Sequence, residues 1–165
     1  MVRVLGLDPG LRHTGWGVIE SIGARLSFID AGVINTDTQG SLPERLAQLH
    51  CAVAAVVEKY APEESCVEET FVNKNPSSTL KLGQARGVVL LAPALKGILV
   101  AEYTPNQIKK AVVGVGHAEK AQVDMMVHTL LPACRDVLKP DAADALAAAI
   151  CHAYMRNVNQ RLLSK

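Results

Sequence analysis

An α/β fold is predicted for this chain, built on a five-stranded mixed sheet of three antiparallel strands then two parallel ones, with helices on both faces. Three observations carry that prediction. A short apolar run ends abruptly at Pro9-Gly10, two further extended segments follow at once, and beyond residue 40 the apolar spacing alternates between helical and strand periods. Consecutive short strands pair antiparallel, whereas strand–helix–strand units return the chain parallel to its start.

Taken in order, Val2 to Asp8 reads as a buried strand. Thr14 to Glu20 and Leu26 to Thr36 read as two more, joined in a hairpin at Gly23. Ser41-Leu42-Pro43-Glu44 has the capping-box pattern, and Leu42, Leu46, Leu49, Val53, Val56 and Tyr60 recur at helical spacing until Pro62. Ser65 to Glu69 is a fourth strand. Asn73 to Ser78 is a polar loop before a helix from Thr79 to about Leu91, where Pro93 predicts a kink or an early end. Ile98 to Tyr103 is the fifth strand and Pro105 to Val112 a short helix. Gly114 and Gly116 lie in a loop, Ala118 to Leu131 is another helix, and the last helix starts near Asp141.

With 165 residues, the chain is expected to form one domain over residues 1–165 with a complete core. Aromatic residues are only 4% of it, so Val, Leu and Ala must fill that core. No apolar stretch reaches the roughly 20 residues of a membrane span. The N-terminus has neither a basic start nor a cleavage site, so a cytoplasmic enzyme is expected. Cys51, Cys66, Cys134 and Cys151 lack metal-ligand spacing and lie in apolar stretches, which predicts buried free thiols. Net charge is only +1, but residues 1–71 carry 5 Lys/Arg against 10 Asp/Glu while residues 72–120 carry 7 against 2. An acidic stretch beside a basic one suits a cation site with a polyanion-binding rim, and surface scatter accounts for it equally well.

Four acids stand out. Asp8 closes the first strand, where α/β sheets commonly present ligands, and Glu68 ends a strand expected beside it. Asp141 and Asp144, three apart on one helical face, repel each other unless a cation lies between them. Oxygen donors without His or Cys favour Mg2+ or Mn2+, and two such ions are suited to phosphodiester hydrolysis. Each acid also has a plainer role. Asp141 can cap the last helix, Asp144 can meet its first-turn amides, and strand alternation leaves open whether Glu68 or Glu69 faces inward.

The Asp-Pro-Gly turn is also similar to the phosphate-binding loop of actin-like ATPases and sugar kinases. Those proteins close two such domains on a nucleotide, and this chain has room for one. A fuller likeness comes from five segments in order: LGLDPGLRHTGWGVIE, VEETF, KNPSSTLKLGQARGVV, KKAVVGVGHAEKAQV and PDAADALAAAI. Together they resemble the RuvC family of Holliday junction resolvases over nearly the whole length.

That resemblance implies an RNase H-like fold and a homodimer that cuts opposed strands of four-way junction DNA with Mg2+. Two ions per subunit are expected, with Mn2+ able to substitute. The family's catalytic and metal-holding acids fall on Asp8, Glu68, Asp141 and Asp144, and two lysines on Lys109 and Lys120. An ammonium there can offset charge on the scissile phosphate. Phe71 matches an aromatic that stacks on an unpaired junction base, and Lys74, Lys81 and Arg86 are expected along the DNA path. Gly83 and Gly87 suit either a dimer interface or packing on the sheet. Partnership with the RuvA and RuvB branch-migration proteins is implied as well. His117 departs from the pattern, standing where a small hydroxyl residue is usual. A non-catalytic junction-binding protein, or an RNase H-type nuclease on hybrid or other branched substrates, is the alternative.

Overall fold

A computed structural model of the chain describes residues 1–69, 74–134 and 138–163. Its elements are β1 (Val2–Asp8), β2 (His13–Ile22), β3 (Arg25–Asn35), α1 (Leu42–Tyr60), β4 (Glu64–Glu68), α2 (Pro76–Ala94), β5 (Leu99–Tyr103), α3 (Pro105–Val113), α4 (Lys120–Leu130) and α5 (Pro140–Leu163). A 3-10 turn at Pro132–Cys134 precedes α5. The strand order is β3-β2-β1-β4-β5, with β1, β2 and β3 antiparallel and β4 and β5 running parallel to β1. This is the mixed sheet expected from the sequence.

Strand alternation divides the core into two layers. Leu5, Leu7, Val18 and Val67 face α1 and α2, packing on Leu49, Val53 and Val89. Val4, Ile19 and Cys66 face the opposite way, onto α3, α4 and α5, against Ile108, Val123, Leu146 and Ile150. Burying a side chain the size of Leu146 or Ile150 contributes about 1.5–3 kcal/mol. The same alternation carries Asp8 and Glu68 onto the α5 side, in phase with Val4 and Cys66.

Helix α5 lies unusually close to the sheet, and two glycines permit it. A Cβ on Gly6 would stand 2.0 Å from the Ala145 carbonyl oxygen, and one on Gly15 would stand 1.8 Å from that of Asp141. The facing helix surface is nearly all alanine, with Ala142, Ala145, Ala148 and Ala149 buried. Farther along, Glu64 ties α5 to β4 by accepting from Arg156 Nε at 2.7 Å and pairing with His152 Nε2 at 2.8 Å. Burial alone would push the Glu64 carboxyl up, yet those two donors hold it below its ordinary value.

Several expectations shift. Helix α2 starts at Pro76, not Thr79, because the Asn75 side chain accepts from the amides of Ser77 and Ser78 at 3.0 and 3.4 Å and Pro76 fits the first turn. Pro93 does not end the helix at Leu91. It falls in the last turn of a helix that runs to Ala94, and the Leu95 amide still reaches the Leu91 carbonyl at 2.9 Å. Helix α4 begins at Lys120, behind an N-cap at Glu119 whose amide donates to Gln122 Oε1 at 2.9 Å. His117 is therefore exposed and outside the cap. Of the cysteines, Cys66, Cys134 and Cys151 are buried free thiols as expected, but Cys51 is exposed on the outer side of α1. No helix among the described residues is long and apolar enough to cross a membrane.

Candidate active site

The pairing register brings the candidate acids together. Leu7 lies opposite Val67 in the parallel β1–β4 pair, so Asp8 and Glu68 end neighbouring strands on the same side. Asp8 also pairs with Gly15 of β2, the residue over which the first turn of α5 closes. The glycine contact thus lowers Asp141 and Asp144 toward the strand ends.

A pocket of about 340 Å³ opens at this point. Asp8, Glu68 and Asp144 line it together with Lys109 of α3 and Lys120 of α4, and Pro105, Ile108, Val123 and Ala147 form its apolar walls. Asp141 does not line the pocket, but its charge acts on both Asp8 and Asp144. Burial, with repulsion from Glu68, Asp144 and Asp141, pushes the Asp8 carboxyl up to about 8. Glu68 is pushed up to about 7 by burial and by Asp144, against the pull of Lys120 and Lys109. Asp144 is also raised by burial, although Lys120 Nζ donates to its Oδ2 at 2.7 Å. In return, that hydrogen bond raises the Lys120 ammonium above its ordinary value.

Among the described residues, no three His, Cys, Asp or Glu groups stand close enough to hold one ion. The acids share a pocket and a mutual repulsion, not a closed cage. Their chemistry nevertheless fits a hard divalent cation. All donors are carboxylate oxygens, they are partly desolvated, and two are raised to near neutrality by burial and mutual repulsion, even with Lys120 beside them. Asp8, Glu68 and Asp144 would hold such an ion, and Asp141, outside the pocket lining but within reach of both aspartates by charge, would join them.

The other sequence candidates separate. Lys74 and Lys81 are exposed, Lys74 just before α2 and Lys81 in its second turn. Arg86 of α2 is ion-paired with Glu102 of β5, which ties the helix to the sheet edge. Phe71 lies outside the described residues. Among the described residues, a Cβ at Gly83 or Gly87 would meet no atom within 4 Å, so neither packs on the sheet. The sequence reading missed Asp124, whose charge acts on Lys120 and Asp144. Its signal was the four-residue spacing from Lys120, which places both on one helical face.

Comparison with known proteins gives a consistent picture. The family described as "Crossover junction endodeoxyribonuclease RuvC" matches residues 4–152. The protein of that name from Rhodospirillum rubrum is 61% identical over 155 residues, covering 94% of this chain and 91% of the relative. Its counterpart from Paramagnetospirillum magneticum is 57% identical over 161 residues, covering 98% and 96%. Among solved structures, T. thermophilus RuvC in complex with Holliday junction substrate superposes with a TM-score of 0.90 at 34% identity, covering 96% of this chain and 97% of that one. The yeast mitochondrial Holliday junction resolvase Ydc2, at 16% identity and a TM-score of 0.67 over 96% of this chain and 82% of that one, shares the fold.

Proposed function

The chain belongs to the RuvC family of crossover junction endodeoxyribonucleases, and from that membership we propose how its own residues carry the activity. It is a metal-dependent endodeoxyribonuclease with an RNase H-like fold that resolves Holliday junctions in DNA recombination and repair. In our reading the chain is one nuclease domain over residues 1–165, working in the cytoplasm. Asp8, Glu68, Asp141 and Asp144 are its metal-holding catalytic acids, and Mg2+, at two ions per subunit, is the metal. The observation that carries this assignment is the meeting of Asp8, Glu68 and Asp144 with Lys109 and Lys120 around one pocket at the strand ends.

When bound, divalent cations supply a nucleophilic water at neutral pH and neutralise charge on the phosphoryl and leaving oxygens. The chain's residues prepare for that chemistry. Glu68 and Asp8, raised by burial and repulsion, would have to give up their protons to hold a cation. Lys109 draws Glu68 toward its ionised form. Lys120, with its ammonium on Asp144, stands ready to donate to a phosphate oxygen at the pocket rim. Ile108 and Val123 wall the pocket with apolar surface, which excludes water and strengthens these charge interactions. Phe71 stacks on an unpaired junction base, and Lys74, Lys81 and Arg86 lie along the DNA path.

A four-way junction has approximate two-fold symmetry, so a C2 homodimer presents one pocket to each of two opposed strands. Support for the dimer comes from the outer side of α2. Leu80, Leu91 and Leu95 are 64%, 49% and 65% exposed there, with Gly83 and Gly87 open between them and Leu99 beyond at 66%. RuvA and RuvB complete the proposed partnership.

The test is cleavage of a synthetic four-way junction, a duplex and an RNA–DNA hybrid, each with Mg2+ and with chelator. Mg2+-dependent paired cuts in the junction alone are expected. Equal cutting of the hybrid, or junction binding without cleavage, would overturn the assignment.

A further inference from the structure

A second pocket, of about 280 Å³, lies on the α1/α2 side of the sheet, across the β1–β2 connection from the carboxylates. Three cations from separate segments line it: Arg12 after β1, Arg45 in the first turns of α1, and Lys81 of α2. The hydroxyl-bearing residues Thr38 and Ser78 stand beside them. Arg45 is fixed in place, donating from Nε to Thr36 Oγ1 at 3.0 Å and from Nη2 to the Leu11 carbonyl at 3.4 Å.

Among the described residues these cations have no ion-pair partner: the ion pairs involve Arg3, Lys59, Arg86, Lys120, His152 and Arg156, and none involves Arg12, Arg45 or Lys81. The neighbouring acids are engaged elsewhere. Asp37 Oδ1 accepts from the Gln39 amide at 2.9 Å, and Glu44 Oε2 from the Ser41 amide at 2.7 Å. Three converging positive charges with donor-rich heads make a concavity suited to a tetrahedral oxyanion, and guanidinium forks match phosphate oxygens. Arg12 follows Asp8 by four residues, a span of at most about 14 Å. The Arg12 backbone thus lies within that distance of Asp8, at the same end of the sheet.

We infer that Arg12, Arg45 and Lys81 form a phosphate subsite that grips the DNA backbone beside the point of cleavage. This rests on the nuclease reading above and adds a residue-level account of how the substrate is held. Phosphate contacts of this kind fix register without reading sequence.

The experiment is equilibrium binding of a synthetic four-way junction in chelator, across roughly 50–200 mM salt. In the double variant R12Q/K81Q, the slope of log affinity against log salt should fall by about 0.9, the release expected for one phosphate contact. Affinity at the lowest salt should fall about tenfold. R12K should keep the wild-type slope, as should K59Q, which removes a charge at the far end of α1. A double variant that unfolds at the wild-type temperature yet keeps the wild-type slope would overturn the subsite, and so would an equal loss in K59Q. If wild type still cuts the junction with Mg2+, that failure leaves the nuclease reading intact. Wild type that neither binds nor cuts overturns both.

Discussion

Lys120 Nζ donates to Asp144 Oδ2 across 2.7 Å, joining the first residue of α4 to the first turns of α5 at the mouth of the carboxylate pocket. One helical turn along α4, Asp124 leaves a buried carboxylate oxygen with no hydrogen-bond partner. Lys120 thus serves a site with an excess of negative charge. Replacing it should be costly to the reaction and mild for the fold. K120M is expected to slow cleavage about a hundredfold or more, the scale of losing one charged stabiliser, while junction binding falls far less. Single-turnover cleavage beside binding measured in chelator checks this. A parallel loss of both would assign Lys120 to DNA holding alone.

The raised carboxyls make metal binding dependent on pH. Asp8, near 8, and Glu68, near 7, keep protons in the folded protein that the unfolded chain has already lost above about pH 4. Without metal, stability must therefore fall as pH rises from about 4 toward 8. A cation has to displace those protons, so Mg2+ affinity should rise by up to about tenfold per pH unit for each proton released between pH 6 and 8. Calorimetric titration in two buffers of different ionisation enthalpy reads both quantities. Affinity that stays flat over that range would contradict the assigned burial.

Gly15 sets the height of α5. A methyl group there would stand 1.8 Å from the Asp141 carbonyl oxygen, so G15A must lift the helix and its acids away from Asp8. Overpacking of this kind costs about 1–3 kcal/mol or more, which is roughly 2–12 °C in melting temperature. Cleavage should fall further than stability accounts for. G87A, whose added Cβ meets nothing within 4 Å among the described residues, is the contrasting variant and should fold normally as a monomer unit.

Much of this architecture is legible in the chain because it is written in local rules. Val2 to Asp8 carries a complete strand signal, and Ser41 to Glu44 carries its helix start. Alternation along β1 and β4 also assigns Asp8 and Glu68 to one face once the register is known, but the register comes from pairing between distant segments. The close seating of α5 was half visible, in Ala142 and Ala143. Its other half, Gly6 and Gly15, gains meaning only from which helix crosses them. Pro93 does not stop the helix at Leu91 because proline's penalty depends on position, and in a last turn few hydrogen bonds remain to be lost. The ion pair of Arg86 with Glu102 was not legible, because Glu102 belongs to a strand that local patterns could not set beside α2.

The open face of α2 yields a test of assembly. L91D places a charge among Leu80, Leu95 and the bare glycines, so the proposed dimer should dissociate. Light scattering should then report a monomer that keeps the wild-type helical content. Its cuts in a junction should become unpaired, leaving nicked products. A variant that remains dimeric would move the interface to another surface.

Most directly, the central claim rests on Asp8, and D8N tests it by removing one buried charge with almost no change of shape. With Mg2+ and a synthetic four-way junction, D8N should bind as wild type does and leave both opposed strands uncut. Cleavage by D8N at near the wild-type rate would mean that the carboxylate pocket is not where the phosphodiester is broken.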